Sequence, residues 1–315
     1  MKLEKISCDF CGFSNSKILF SSKDLDRLSN ESFNLVKCQN CGLLYVNPRP
    51  TPTEMKKFYP AEYYGGSDNL IRKWMKQVNY RIEDKRVARI MKLKKKGKIL
   101  DLGCGNGEFL FALKKQGWQI YGLDISEGAY RQTKELLGQK AKISLGTLES
   151  QRFPDNCFDL VTLWHVIEHL YNPSEIIREI KRILKPGGLL LLACPNSNSF
   201  QYRIFSKKWL LLDIPRHLYH FEPGILTKIL KRNGFETCQI RDYTIEHPFV
   251  FIHSLLNLYN DLLYRTGKGP KRRFGTWSVL LFFNPFLSLL SAFLLSVLPF
   301  LGRGKTIEVY AIKKP

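Results

Sequence analysis

An α/β fold built around a parallel sheet is the expectation, and three observations predict it. From Lys98 onward, short β-rich runs alternate with helical runs at the spacing of strand–helix–strand units. The first of these runs empties into "DLGCGNG", where Gly103, Gly105 and Gly107 stand at alternate positions between a strand and a helix. The chain has 315 residues, enough for one large domain or a core with appendages.

Residues 1–50 hold two copies of one device, Cys8-Asp9-Phe10-Cys11-Gly12 and Cys38-Gln39-Asn40-Cys41-Gly42. Two thiolates three residues apart grip one ion from a tight turn, and the following glycine lets the turn close. Cys8, Cys11, Cys38 and Cys41 together complete a tetrahedral Zn²⁺ shell with no open position, so the metal's role is structural. The 26-residue gap between the pairs exceeds that of the usual zinc ribbon and requires a small hairpin between the knuckles. A redox Cys-x-x-Cys should open a helix in a thioredoxin-like unit, and neither pair does. Eight cysteines are too few for a disulfide scaffold, and Cys104, Cys157, Cys194 and Cys238 read as packing residues. The opening "MKLEKISCDF" has no apolar run and is not read as a secretory signal.

Residues 51–96 read as a basic helical connector, with Ile71, Trp74, Val78 and Ile82 at helical spacing. The core follows over 97–243: strand "KILDL", helix "GEFLFALKKQGW" stopped by Gly117, strand "QIYGLD", and helix "SEGAYRQTKELLG" capped by Ser126 and stopped by Gly138. Then come "KISLG", strand "FDLVTLW", helix "PSEIIREIKRILKPGG", strand "LLLLAC", helix "PGILTKILKRNG" and strand "FETCQIRDY". A last strand, "TIEVYAIKK", lies in 305–315, beyond an apolar insertion at 244–304.

The glycine loop points to a ligand. Its last glycine falls one residue earlier than in the dinucleotide fingerprint. Asp101 and Glu108 flank it, which suits a cation better than a pyrophosphate. Asp124 ends the next strand, 21 residues past Gly103, where a carboxylate accepts both hydroxyls of a ribose. A ribose-bearing ligand with an ammonium or sulfonium group and no phosphate meets these demands, and S-adenosylmethionine fits that description.

"ILDLGCGNG", "YGLDIS", "GTLESQRFPDNCFDLVTLWHVIEHL" and "LKPGGLLLLACPN", in this order, resemble the successive motifs of class I S-adenosylmethionine-dependent methyltransferases over about residues 90–243 plus the last strand. The resemblance implies a Rossmann-like seven-stranded sheet in order 3-2-1-4-5-7-6, with strand seven antiparallel. It implies that Asp101, Gly103 and Gly105 face the methionine part, Asp124 the ribose and Thr147–Leu148 the adenine. His165 would line the pocket near the sulfonium. Thr147 departs from the family's pattern, which has an acid there for the adenine amino group.

The cysteine pairs with "CGLLYVNPRPTPTEMKKFYPAEYY" resemble a bacterial subgroup that includes sugar C-methyltransferases, in which a tyrosine of this region and a late histidine sit near the substrate. Tyr63 or Tyr64 is the candidate for the first role. His217, in "IPRHLYHFEPG", is the candidate for the second and for the general base. Arg216 stands where the sugar enzymes have an acid, and reads as an anion clamp. His169 and His220 read as structural. "HVIEHL" also resembles quinol O-methyltransferases. The acceptor expected is a small molecule or a lipid- or nucleotide-linked one, sugar-like or quinol-like.

The chain carries 49 Lys and Arg against 28 Asp and Glu, a net charge of +21, and twelve of the basic residues lie in 72–98. Such an excess suits a polyanionic partner or a solubilising surface. Residues 274–302 contain no charge and are long enough to cross a bilayer. The flanking strands belong to one sheet, so a single crossing is excluded, and two crossings would put "RTGKGPKRR" on the wrong side. The expectation is a helical hairpin that enters one leaflet at an anionic, cytosolic membrane face, or else serves as a dimer contact. Its first part, "PFVFIHSLLNLYNDLLY", puts His253, Asn257, Asn260 and Asp261 on one polar face. RNA methylation through the zinc knuckle and basic arm is the alternative. Nucleic acid is disfavoured, because "LWHVIEH" stands where an amine-methylating Asn-Pro-Pro-Tyr motif belongs.

Overall fold

The computed structural model describes residues 1–25, 28–59, 70–243, 250, 251, 254, 255, 257, 258 and 304–314, and only the backbone at 70–81 and 243. The N-terminal part contributes β1 (Leu3–Glu4), the hairpin β2 (Ser16–Lys23) and β3 (Ser32–Cys38), then β4 (Leu44–Val46), β5 (Arg49–Pro50) and a short helix α1 (Pro52–Met55). The hairpin fills the gap between the cysteine pairs. A long helix, α2 (Leu70–Leu93), leads into the main sheet.

That sheet follows the alternating pattern: β6 (Lys98–Leu102), α3 (Glu108–Lys115), β7 (Gln119–Asp124), α4 (Glu127–Leu137), β8 (Lys142–Leu145), β9 (Phe158–Trp164), α5 (Pro173–Ile183), β10 (Leu184–Pro195). After β10 come α6 (Phe200–Phe205), β11 (Tyr219–His220), α7 (Pro223–Arg232), β12 (Phe235–Tyr243) and β13 (Thr306–Lys313). The strands lie in the order β8-β7-β6-β9-β10-β13-β12. Counted within the sheet this is 3-2-1-4-5-7-6. The last strand runs antiparallel to both neighbours and the β6, β7, β8, β9 and β10 pairings are parallel. Ser126 caps α4 through the Ala129 amide, and Gly138 ends that helix at φ 66°. One boundary moves. "LKPGG", expected at the end of a helix, extends β10 instead, with a register shift between Leu184 and Leu189. Pro186 lacks the amide a helix would use there.

Both faces of the sheet are covered, as its doubly apolar strands require. Successive residues serve opposite cores: Leu100, Leu190 and Leu192 face one, while Ile99, Leu189 and Leu191 face the other. The first core also takes in α5, α7 and the N-terminal strands; the second takes in α2 and α3. On α2 the buried stripe is Glu83, Arg86, Val87 and Ile90, so two charged residues occupy a face that periodicity reserves for apolar ones.

β11 does not join the main sheet. It pairs with β4, so the smaller sheet reads β11-β4-β3-β2 and is closed by a strand whose Tyr219 pairs with Tyr45, 174 residues earlier.

Most of the apolar insertion, including 274–302, lies outside the described residues. At its start, Ser254 accepts the Leu210 amide and Asn257 donates to the Lys208 carbonyl, while Leu255 and Leu258 are exposed. Asn257, read as part of the segment's polar face, therefore turns toward the protein, where the backbone of 208–210 supplies partners for these polar groups. Among the described residues, no helix is long and apolar enough to cross a membrane.

Candidate active site

The chain leaves β6 toward β7 on one side and, later, β9 on the other. This is the switch point where open α/β sheets take ligands at their carboxyl ends. Asp101 of β6 and Thr162 of β9 face each other across it, and the Thr162 hydroxyl donates to Asp101 at 2.5 Å. Burial pushes the Asp101 carboxyl up to about 8, against that hydrogen bond, with Glu83 and Asp124 adding to the rise. The loop after β6 is held by Gly103 and Cys104 amides on the Leu123 carbonyl and by the Gly105 amide on Asp124 Oδ2 at 2.9 Å. The Ser126 amide donates to Asp124 Oδ1 at 2.8 Å. The loop and the Asp124 carboxylate are thus fixed together, and each carboxylate oxygen keeps a lone pair for a ligand hydroxyl.

The glycines differ in role. A Cβ on Gly103 would meet Val166 at 2.4 Å, so that glycine lets the loop pack against the residue after His165. Gly105 has φ 54° and nothing within 4 Å of such a Cβ. Its backbone borders a cradle open at Gly105, with the carboxylates of Asp101, Asp124 and Glu108 buried nearby, in a chain that is otherwise strongly basic. That acidic cradle fits a cationic, ribose-bearing molecule. Leu148 is buried and Thr147 exposed, just after Gly146, whose amide donates to the Asp124 carbonyl.

Sequence reasoning missed a neighbouring group. Arg86 of α2 lays its guanidinium over the Trp164 ring at 4.0 Å and donates to Glu83 at 2.6 Å. Burial pushes Glu83 up to about 7, against the Arg86 charge. Inside a run of basic residues, the pair "ED" at 83–84 was the only sign that this turn of helix differs from its surroundings.

A second cluster lies beside the loop after β9. His165 sits at φ 55° and its Nδ1 is 3.2 Å from Glu168 Oε1. Glu168 is fully buried, and its Oε2 has no hydrogen-bond partner among the described residues. Burial works to raise the Glu168 carboxyl, but the His165 bond and the His165, His169 and His217 charges hold it at about 2. His169 and His217 stack edge to face with centroids 4.6 Å apart, and the donor atoms of Glu168, His169 and His217 lie within 4.8 Å of one another. His217 Nδ1 donates to the Leu211 carbonyl at 2.8 Å, which leaves Nε2 as the basic nitrogen, 3.9 Å from Asp213. Burial works to raise Asp213, yet the Arg216 charge and hydrogen bonds hold it at about 2.

Arg216 is not an anion clamp. It is buried, paired with Asp213 through Nε and Nη2, 3.6 Å from Asp24, and bonded to the Phe58 carbonyl. Two internal carboxylates outcompete any ligand for it. Tyr63 and Tyr64 lie outside the described residues; among those described, Tyr59 reaches the cluster, its hydroxyl 3.0 Å from His169 Nδ1. His220 is buried, as expected of a structural residue, with its Nε2 unpartnered among the described residues.

Cys8, Cys11, Cys38 and Cys41 converge. Their sulfurs lie within 4.8 Å of one another, with Cys8–Cys41 at 3.6 Å and Cys11–Cys38 at 3.5 Å. The two knuckles repeat the same bonds: Gly12 to the Cys8 carbonyl and Gly42 to the Cys38 carbonyl. Gly12 and Gly42 have φ of 71° and 79°, which only glycine adopts easily. Four thiols so arranged are the donor set of a closed tetrahedral site. Of the other cysteines, Cys104 and Cys194 are buried, whereas Cys238 is exposed.

The pattern of the family described as a methyltransferase domain matches residues 73–240, which takes in Glu83 and Arg86. The ubiquinone biosynthesis O-methyltransferase of Thiobacillus denitrificans is 27% identical over 169 residues, covering 50% of this chain and 72% of its own length. That of Dechloromonas aromatica is 33% identical over 143 residues, covering 43% of this chain and 61% of its own length. The chain thus spans less than two thirds of the second relative's length. The crystal structure of a SAM-dependent methyltransferase from Archaeoglobus fulgidus superposes with a TM-score of 0.50 at 19% identity, covering 78% of this chain and all of that one, a likeness of fold.

Proposed function

The chain belongs to the methyltransferase-domain family and is an S-adenosylmethionine-dependent enzyme; from that premise we propose that it methylates an oxygen of a small or lipid-linked, quinol-like acceptor at the cytosolic face of an anionic membrane. One observation carries the reading. An acidic cradle at Asp101, Gly105 and Asp124 lies at the mouth of the same sheet as the cluster of His165, Glu168, His169 and His217, in which Glu168 and His217 are buried and the other two half-buried.

When bound, S-adenosylmethionine supplies an electrophilic methyl group. Asp124 takes the ribose hydroxyls, Asp101 favours the ligand's ammonium, and Leu148 backs the adenine with Thr147 at its edge. Arg86, beside the cradle, meets the methionine carboxylate. His217 Nε2 accepts the acceptor's proton as its oxygen attacks. The Leu211 carbonyl fixes the tautomer for that step, and Asp213 stabilises the imidazolium that forms. His165 and Tyr59 line the acceptor's approach, and Tyr64 is a further candidate from outside the described residues. The four cysteines hold a structural Zn²⁺.

Membrane attachment through 244–304 is supported by the described residues near its start, where Ser254 and Asn257 turn inward and leave Leu255 and Leu258 outward. The quinol-like acceptor rests on the relatives' names.

The test is direct. Purified protein, S-adenosylmethionine and either a demethylated quinol or a nucleotide sugar are mixed, and S-adenosylhomocysteine is measured. Turnover with the quinol is expected. His217→Gln should lower the rate by about 10²-fold with cofactor affinity within about threefold. Turnover with the sugar alone would move the acceptor to the other class. Turnover with neither, despite cofactor binding, would count against both.

A further inference from the structure

The segments that carry the histidine cluster are tied to those that carry the thiol knuckles at two independent points. One bond leaves the first knuckle itself. Asp9, between Cys8 and Cys11, accepts the Ser174 amide on Oδ2 at 2.7 Å. Ser174 is in the first turn of α5, whose own N-cap residue, Asn172, makes no side-chain cap bond. Asp9 therefore caps from a distance the helix that starts just after His169. The other connection leaves the second knuckle. β4 begins three residues after Cys41, pairs Leu44 with His220 and Tyr45 with Tyr219, and donates the Val46 amide to the Leu218 carbonyl at 2.9 Å. The Leu218 amide donates in turn to the Glu168 carbonyl at 2.7 Å. Phe10 fills the space between, edge-on to Tyr219 and Phe221 at 6.2 Å each.

His217 thus belongs to a chain segment clamped between a knuckle strand and the Glu168 backbone. The cofactor cradle is different. Its bonds run to Leu123, Asp124 and Thr133, none of which belongs to the N-terminal strands.

We propose that the metal-bound knuckles are the frame that holds Glu168, His169 and His217 in register, with Asp9 and β4 as the positioning elements. Metal occupancy then governs the proton-accepting half of the site and leaves the cofactor half intact. The proposal rests on the reading of His217 as the base. Without a cation the four thiols are joined by no strong bond, and the two turns that launch Asp9 and β4 open independently. The cluster then loses its cap and its strand partner together.

The experiment uses full-length, zinc-loaded protein. Metal is withdrawn with a mercurial and a chelator, the thiols are regenerated, and zinc is counted with a chromogenic chelator. Diethyl pyrocarbonate modification of each histidine is followed by peptide mass spectrometry, and S-adenosylmethionine binding by calorimetry. On metal removal His169 and His217 should react about tenfold faster or more, with cofactor affinity within about threefold. Asp9→Ala, with zinc retained, should expose His169 several-fold, whereas Asp9→Asn, which keeps an acceptor oxygen, should restore protection. Should Asp9→Ala not fold, metal removal from the unaltered chain decides alone. Unchanged histidine reactivity after metal removal overturns the proposal. So does a loss of cofactor affinity in step with histidine exposure, because the metal would then hold the whole chain together. Absence of cofactor binding in the loaded protein overturns the methyltransferase reading instead, and the histidine rates still judge this one.

Discussion

Asp101 is protonated more readily than an ordinary carboxyl because it is buried between two strands with Glu83 and Asp124 nearby, and its carboxyl sits at about 8. A ligand ammonium favours the ionised form, so binding below that pH expels a proton. Cofactor affinity should therefore rise from pH 6 to about 8 and level off above it. Calorimetry in buffers of different ionisation enthalpy reads the released proton directly, and Asp101→Asn should flatten the profile. Arg86 gives a second prediction. Arg86→Gln should weaken cofactor binding by about tenfold, the loss of one charge-assisted contact. Isothermal titration would show no change if the guanidinium serves only Trp164 and Glu83. Asp101, the glycines, Asp124 and the cysteines were legible because each expresses its chemistry within a few residues of sequence. Arg86 was not, since one basic residue among twelve carries no mark of its position. Arg216 was misread for the related reason that its partners, Asp24 and Asp213, are set by the fold.

At the level of elements, the loop between β6 and α3 separates folding from binding. Gly103→Ala drives a methyl group into Val166 and strains a positive φ, so it should lower the melting temperature. Gly105→Ala meets open space, so its cost is the backbone term alone, about 1–2 kcal/mol, while the added methyl intrudes on the cradle. The expected outcome is a Gly105→Ala protein that folds but has lost most of its cofactor affinity. Circular dichroism melts beside calorimetry would show the split. The strands and helices of the main sheet were readable because period-two and period-3.6 patterns, caps and stop glycines agree along it. The exceptions are instructive. Helix α5 ends early because Pro186 cannot continue it, and α2 buries Glu83 and Arg86 because the two pair with each other and the guanidinium lies on the Trp164 ring.

Across the whole molecule, the histidine cluster makes acid sensitivity a property of the fold. His169 and His220 are held at about 4 and about 3, by burial first and the His217 charge next. Both are neutral in the folded chain, while the unfolded chain protonates near pH 6.5, so stability is full above about 6.5 and falls as pH drops toward 4. Glu168 and Asp213, held at about 2, contribute stability above the ordinary carboxylate range and lose it only below about pH 4. The melting temperature should thus decline between pH 7 and 5 on account of the histidines. His220→Leu, which removes a buried nitrogen with no partner among the described residues, should shallow that decline; an unchanged slope would show that other groups cause it.

The amino-acid sequence by itself determined the strand and helix succession, the cofactor loop and the four-thiol site, because each depends on neighbours close along the chain. Only the tertiary structure decided that β11 leaves the main sheet for the knuckle sheet, that Arg216 is internal, that Tyr59 reaches His169 and that Arg86 lies on Trp164. Those outcomes depend on which distant segments share a buried space, where desolvation forces every charge and amide to find a partner.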